Sequence, residues 1–92
     1  MMQRDWVCEQ IMLTLIEKVQ VDVPSVDTDL LETGILDSMT LVELIMHIEE
    51  TFGITITFKD IEFDQLRSVA RIAELVDHLL ALRMNLNVGV PR

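Results

Sequence analysis

Ser38 lies in Gly34-Ile35-Leu36-Asp37-Ser38-Met39, immediately ahead of an apolar-periodic stretch. Two chemistries are open to its hydroxyl. A serine at a helix start is one of the best N-caps. The same position suits a phosphate ester, because free amides and the positive end of the helix dipole stabilise an added anion. Asp37 beside it supplies a carboxylate that can hold a cation or a basic side chain of a modifying enzyme. Nucleophilic catalysis is a poorer fit. His47 comes nine residues later, which on a continuous helix is ~13 Å of rise and about half a turn away. His78 has no evident orienting carboxylate, and no Gly-x-Ser-x-Gly elbow is present. Asp27-Thr28-Asp29 opens like a calcium loop but continues with Leu31 and Glu32 where a ligand and a glycine are needed. The single cysteine, Cys8, makes neither an internal disulfide nor a thiolate cluster. No metal site is expected.

Three helices must position this serine. Val7, Cys8, Ile11, Met12, Leu15, Ile16 and Val19 recur at spacings of three and four, predicting a helix from Arg4 to Val19. From Gln20 to Asp37 the period is lost and Pro24, Ser25 and Gly34 appear, so a long loop is expected, anchored by Val26, Leu30, Leu31, Ile35 and Leu36. A second helix runs from Ser38 to about Phe52, with Gly53 as its stop. Ile54, Ile56 and Phe58 alternate with threonines like a strand, but with no partner strand evident they read as an extended loop. One helical turn is expected across Asp60–Asp64. Ser68 caps a last helix that turns Val69, Ile72, Leu75, Val76, Leu79 and Leu80 inward. The fold class is therefore all-α, a small bundle of three main helices plus one short one. Residues 1–83 form a single domain and residues 84–92 a flexible tail.

Ninety-two residues with half of them hydrophobic suffice for one core. The net charge of −9 argues against nucleic acid and anionic membrane as partners. With neither a signal peptide nor a membrane-length apolar run, a soluble, cytoplasmic monomer is expected. The charge is unevenly placed: ten acids and only Lys59 fall between Asp27 and Asp64, and the rest of the chain is neutral. On a helical wheel, Leu41, Leu44, Ile45, Ile48 and Phe52 share an arc of roughly 80–100°. Met39, Val42 and Met46 occupy another, about 100–160° from Leu41, bordered by Glu43, Glu49 and Glu50. The second strip is either covered by another part of the chain or is a docking surface with an acidic rim.

From Leu30 through Gly34-Ile35-Leu36-Asp37-Ser38-Met39, Val42-Glu43-Leu44, Ile48-Glu49-Glu50, Phe52-Gly53-Ile54 and Ile56, the chain resembles the acyl carrier protein family. The resemblance implies a non-catalytic, stand-alone carrier, whose Ser38 is esterified by 4′-phosphopantetheine from coenzyme A and whose arm holds acyl groups as thioesters. It implies partners with basic docking patches: a phosphopantetheinyl transferase, a loading ligase and client synthases of fatty acid, polyketide or related biosynthesis. Asp37, Met39, Val42, Glu43, Met46, Glu49 and Glu50 would contact them, and Leu44, Ile45, Ile48, Phe52 and Ile72 would line an acyl pocket. Met39 replaces the family's usual leucine, a swap also found in D-alanyl and other aminoacyl carriers, so an aminoacyl carrier is the alternative. Thr40 and His47 stand where acidic or small residues are common. The Gly-His-Ser pattern of peptide-synthetase carriers is absent, and residues 84–92 have no family counterpart. A helical interaction module without an arm and a small hydrolase are the remaining alternatives.

Overall fold

A computed structural model describes residues 3–57, 59 and 61–89. The chain folds as three α-helices, α1 (Gln3–Thr14), α2 (Ser38–Phe52) and α3 (Val69–Gly89), with a short 3₁₀ turn at Phe63–Leu66. No strand occurs among the described residues. The small fourth element is thus a 3₁₀ turn rather than an α-helix, and it overlaps the end of the expected Asp60–Asp64 segment and extends two residues past it. Its register is set by Leu66, which is buried in the core, and by Glu62, whose backbone N–H donates to Gln65 Oε1 at 2.9 Å. Phe58 and Asp60 lie outside the described residues.

The first helix closes with a π-helical turn, Leu15–Val19, and ends at Gln20 in the left-handed region (φ 65°). The wider turn shifts the phase of the apolar stripe. Val7, Ile11 and Leu15 stay fully buried, whereas Ile16, expected inside, is half exposed. Thr14 is buried as well, its hydroxyl donating to the Gln10 carbonyl at 2.8 Å.

Helix α2 buries Leu41, Leu44, Ile45, Ile48 and Phe52, the arc its periodicity predicts. It stops at Gly53, where φ 66° favours glycine and the Gly53 N–H returns to the Glu49 carbonyl at 2.9 Å. The next residues, 54–57, take no regular secondary structure, with Ile54 and Ile56 buried and Thr55 and Thr57 exposed. One side chain fastens this segment to α2: the Ile56 N–H donates to Glu49 Oε2 at 2.8 Å. Hydrogen bonds to a charged, part-buried acceptor are among the stronger ones, so Glu49→Ala is expected to lower stability by about 1–3 kcal/mol. Urea unfolding of the two proteins measures it, and an unchanged midpoint would refute the role.

Helix α3 starts at Ser68, whose hydroxyl accepts from the Arg71 N–H at 3.2 Å. Val69, Ile72, Ala73, Leu75 and Val76 then face the core, while Leu79 and Leu80 are partly buried against it. The helix continues to Gly89, so residues 84–89 are helical where a tail was expected. Asn85 and Asn87 are only mild helix breakers, each costing well under 1 kcal/mol relative to alanine. Residues 90–92 lie outside the described residues.

Candidate functional site

The serine sits at the mouth of α2, which begins at Ser38 as the sequence pattern predicts. Asp37, not Ser38, is the N-cap: its backbone is extended (φ −104°, ψ −173°). Thr40 completes a reciprocal capping box. The Thr40 N–H donates to Asp37 Oδ1 at 2.9 Å, the Asp37 N–H donates to Thr40 Oγ1 at 2.8 Å, and the Thr40 hydroxyl also reaches Asp37 Oδ1 at 2.9 Å. The capping task is therefore taken, and Ser38 is the first helical residue with an exposed side chain. Among the described residues nothing hydrogen-bonds its hydroxyl. The oxygen is available for chemistry at the positive end of the helix dipole.

Donation from the Thr40 N–H and then from its hydroxyl holds the Asp37 carboxyl below the usual carboxylate range. Because the folded value is the lower one, the stabilisation is present above the ordinary carboxyl pKa of about 4 and is lost as pH falls through the folded value. Asparagine caps nearly as well but does not titrate. Asp37→Asn should therefore flatten the fall in stability below about pH 4 while leaving neutral-pH stability almost unchanged. Denaturant midpoints across that range check it, and equal acid slopes would refute it.

The loop before Ser38 is anchored to the core along its length. Leu30 and Leu36 are buried, Val26, Leu31 and Ile35 pack partly against the core, and Val23 is an anchor that the sequence pattern missed. Asp29, which read as the start of a poor calcium loop, organises a turn instead. Its Oδ1 accepts the Leu31 N–H at 3.1 Å and the Glu32 N–H at 2.8 Å, and its other oxygen meets Arg67 Nη1 at 2.9 Å. The Glu32 amide is the main reason, with Arg67 next among the stabilising groups, that this carboxyl also lies low. Gly34 follows at φ 78°, a conformation that suits glycine. Among the described residues no three His, Cys, Asp or Glu side chains converge on a point suited to a metal ion.

Past Ser38, Met39 (80% exposed), Val42 and Met46 (56%) form a bare apolar strip. Neither α1 nor the loop covers it. Glu43 and Glu50 are exposed beside it. Glu49, expected with them, is half buried, and its Oε2 accepts the Ile56 N–H. His47 reaches toward Glu50 at 4.0 Å in a cleft of about 410 Å³ that α2 forms with α1. His78 lines another cleft, about 320 Å³, beside Thr55 and Leu79. Ser38 lines neither of these two clefts.

Leu44, Ile45, Ile48, Phe52 and Ile72, read as a pocket lining, are all buried in the packed core, and none of them borders either cleft. Phe52 also meets Trp6 edge to face at 5.5 Å. The sequence reading missed Asp29, Arg67 and Thr40 as residues that shape the site. Asp37-x-x-Thr40 carried a readable signal as a capping-box variant, whereas Asp29 and Arg67 are 38 positions apart and no local pattern links them.

Residues 9–76 match the family model described as "Phosphopantetheine attachment site". The match reaches from α1 across the loop and α2 to Val76 in α3. D-alanyl carrier proteins of Streptococcus pyogenes serotype M5 (strain Manfredo), serotype M49 (strain NZ131) and serotype M1 are each 38% identical to this chain. Each similarity spans 53 residues, 58% of this chain and 67% of the relative.

Proposed function

This chain belongs to the phosphopantetheine-attachment family, carriers that hold covalent 4′-phosphopantetheine and are not themselves catalysts, and from that premise we propose that Ser38 is the residue esterified. The observation that carries the proposal is the division of labour at the start of α2. Asp37 and Thr40 satisfy the helix end, which leaves the neighbouring hydroxyl exposed and unbonded among the described residues. A phosphodiester there is favoured by the helix dipole. The arm supplies a thiol that holds a carboxylic acid as a thioester. The protein's own part is to present Ser38 and to offer an acidic, apolar-centred face to a phosphopantetheinyl transferase, a loading ligase and client enzymes with basic patches.

The cargo we favour is small, an aminoacyl unit of the D-alanyl kind, over a fatty or polyketide chain. Two observations support this. The relatives carry that name, and the side chains that would have to part around a long chain are closely buried. Sheltering a long chain would mean opening a packed core, at the cost of its dispersion contacts.

Intact-protein mass spectrometry tests both levels. Incubation with coenzyme A and a broad-specificity transferase should add one phosphopantetheinyl group, and an unchanged mass alongside an active control carrier would overturn the reading of Ser38. The chain isolated with its native thioester should carry, beyond the arm, the mass of one aminoacyl group, an amino acid less water. A long-chain acyl mass would overturn the cargo reading alone.

A further inference from the structure

We infer that Arg67 is a positioning residue for the modification of Ser38, an inference that rests on the reading of Ser38 as the attachment residue. Arg67 stands one residue before the Ser68 cap of α3 and bridges two carboxylates. Its Nη1 donates to Asp29 Oδ2 at 2.9 Å and its Nε to Asp64 Oδ1 at 3.1 Å, while Arg71 Nη1 takes the other Asp64 oxygen at 2.8 Å. The Arg67 carbonyl accepts the Leu30 N–H at 2.6 Å, and the Ala70 N–H donates to Val26 at 2.9 Å. The start of α3 is thus a fixed edge on which the irregular loop is hung.

Beyond Asp29 the loop is a relay of short-range bonds leading to Ser38. Asp29 Oδ1 holds the amides of Leu31 and Glu32, and the Asp29 carbonyl accepts from the Thr33 N–H at 3.2 Å and the Thr33 hydroxyl at 2.6 Å. The Gly34 N–H donates to Leu31 at 3.2 Å and the Leu36 N–H to Leu30 at 2.9 Å. The next residue is the Asp37 cap. These bonds make Asp29–Leu36 a small rigid unit, and the Asp29–Arg67 pair is its side-chain link to the helix that carries the core. Arg67 is 44% exposed and Asp29 30%. A pair so open to water adds little to global stability, but it restricts where the unit sits.

Losing the link lowers the fraction of chains whose loop and Ser38 are arranged for the transferase. An enzyme that binds only the arranged form then shows a raised KM, with kcat intact because the hydroxyl is unchanged. The full chain is assayed with coenzyme A and a broad-specificity transferase, well below the melting temperature and in about 0.5 M salt, where long-range charge effects are screened. Arg67→Met is expected to raise KM about fivefold, corresponding to a competent population reduced to about one fifth, with kcat within a factor of two. Arg67→Lys, which can replace one of the two bonds, should recover part of the loss. Asp29→Asn should raise KM as Arg67→Met does, and the double variant should be no worse than the poorer single one, because both break the same link. An unchanged KM for Arg67→Met overturns the inference, as does a rise that Asp29→Asn fails to share, which would place Arg67 in direct contact with the enzyme. Failure of the unaltered chain to accept any arm is a different result, and it removes the Ser38 reading itself.

Discussion

Ser38→Ala is expected to yield a folded chain that gains no mass from coenzyme A and an active transferase, a complete loss rather than a reduced rate. Folding should be untouched, for three reasons. The side chain is exposed, the helix end is capped by Asp37 and Thr40, and alanine is the best helix former. The other serines are poor substitutes. The Ser25 hydroxyl accepts the Asp27 N–H at 3.1 Å and pairs with the Thr28 hydroxyl at 3.2 Å. Ser68 is buried as the α3 cap. Circular dichroism confirms the fold, and intact mass reads the modification. A phosphopantetheinyl gain that persists in Ser38→Ala would move the anchor elsewhere and undo the functional reading.

The second large effect concerns approach rather than attachment. Glu43→Lys combined with Glu50→Lys turns the net charge from −9 to −5 and reverses the free rim of the Met39–Val42–Met46 strip. Both side chains are exposed and neither supports the core, so the variant should fold normally. Charge complementarity raises association rates by about 10–10³-fold. The double variant is therefore expected to associate with a basic transferase about 10–100-fold more slowly at low salt. The gap should close in about 1 M salt, where the screening length is near 3 Å. Stopped-flow association at the two salt concentrations makes the comparison. Equal rates at low salt would show that partners approach another face. Glu49 is left out of this test because its loss also frees the Ile56 amide, and a folding defect would be read as a docking defect.

The helices were legible in the sequence because burial on a helix leaves a period. The inward arc of α2 and its Gly53 stop are found as predicted, as is the Ser68 cap of α3, and of the two readings left open for Met39, Val42 and Met46 the structure shows the exposed one. The misses have physical causes. Ile16 faces outward because a π-helical turn alters the residue count per turn, which a fixed 100° step does not anticipate. The Asp37 cap, by contrast, agrees with a helix beginning at Ser38, and Thr40, three residues after Asp37, closes it as a reciprocal box.

Local chemistry alone placed a hydroxyl at a helix start within an acidic, methionine-rich neighbourhood, since residue type and spacing are enough to define a helix face and its rim. What Glu49 bonds to, what the apolar residues of α2 pack against, and what holds the loop ahead of Ser38 were decided by tertiary structure. Each depends on a partner outside the local helix pattern: Ile56, beyond the α2 stop, for Glu49, the α1 and α3 side chains for the core, and Arg67 for Asp29. Contacts closed over such separations leave no periodic trace, because their geometry exists only once the helices have packed.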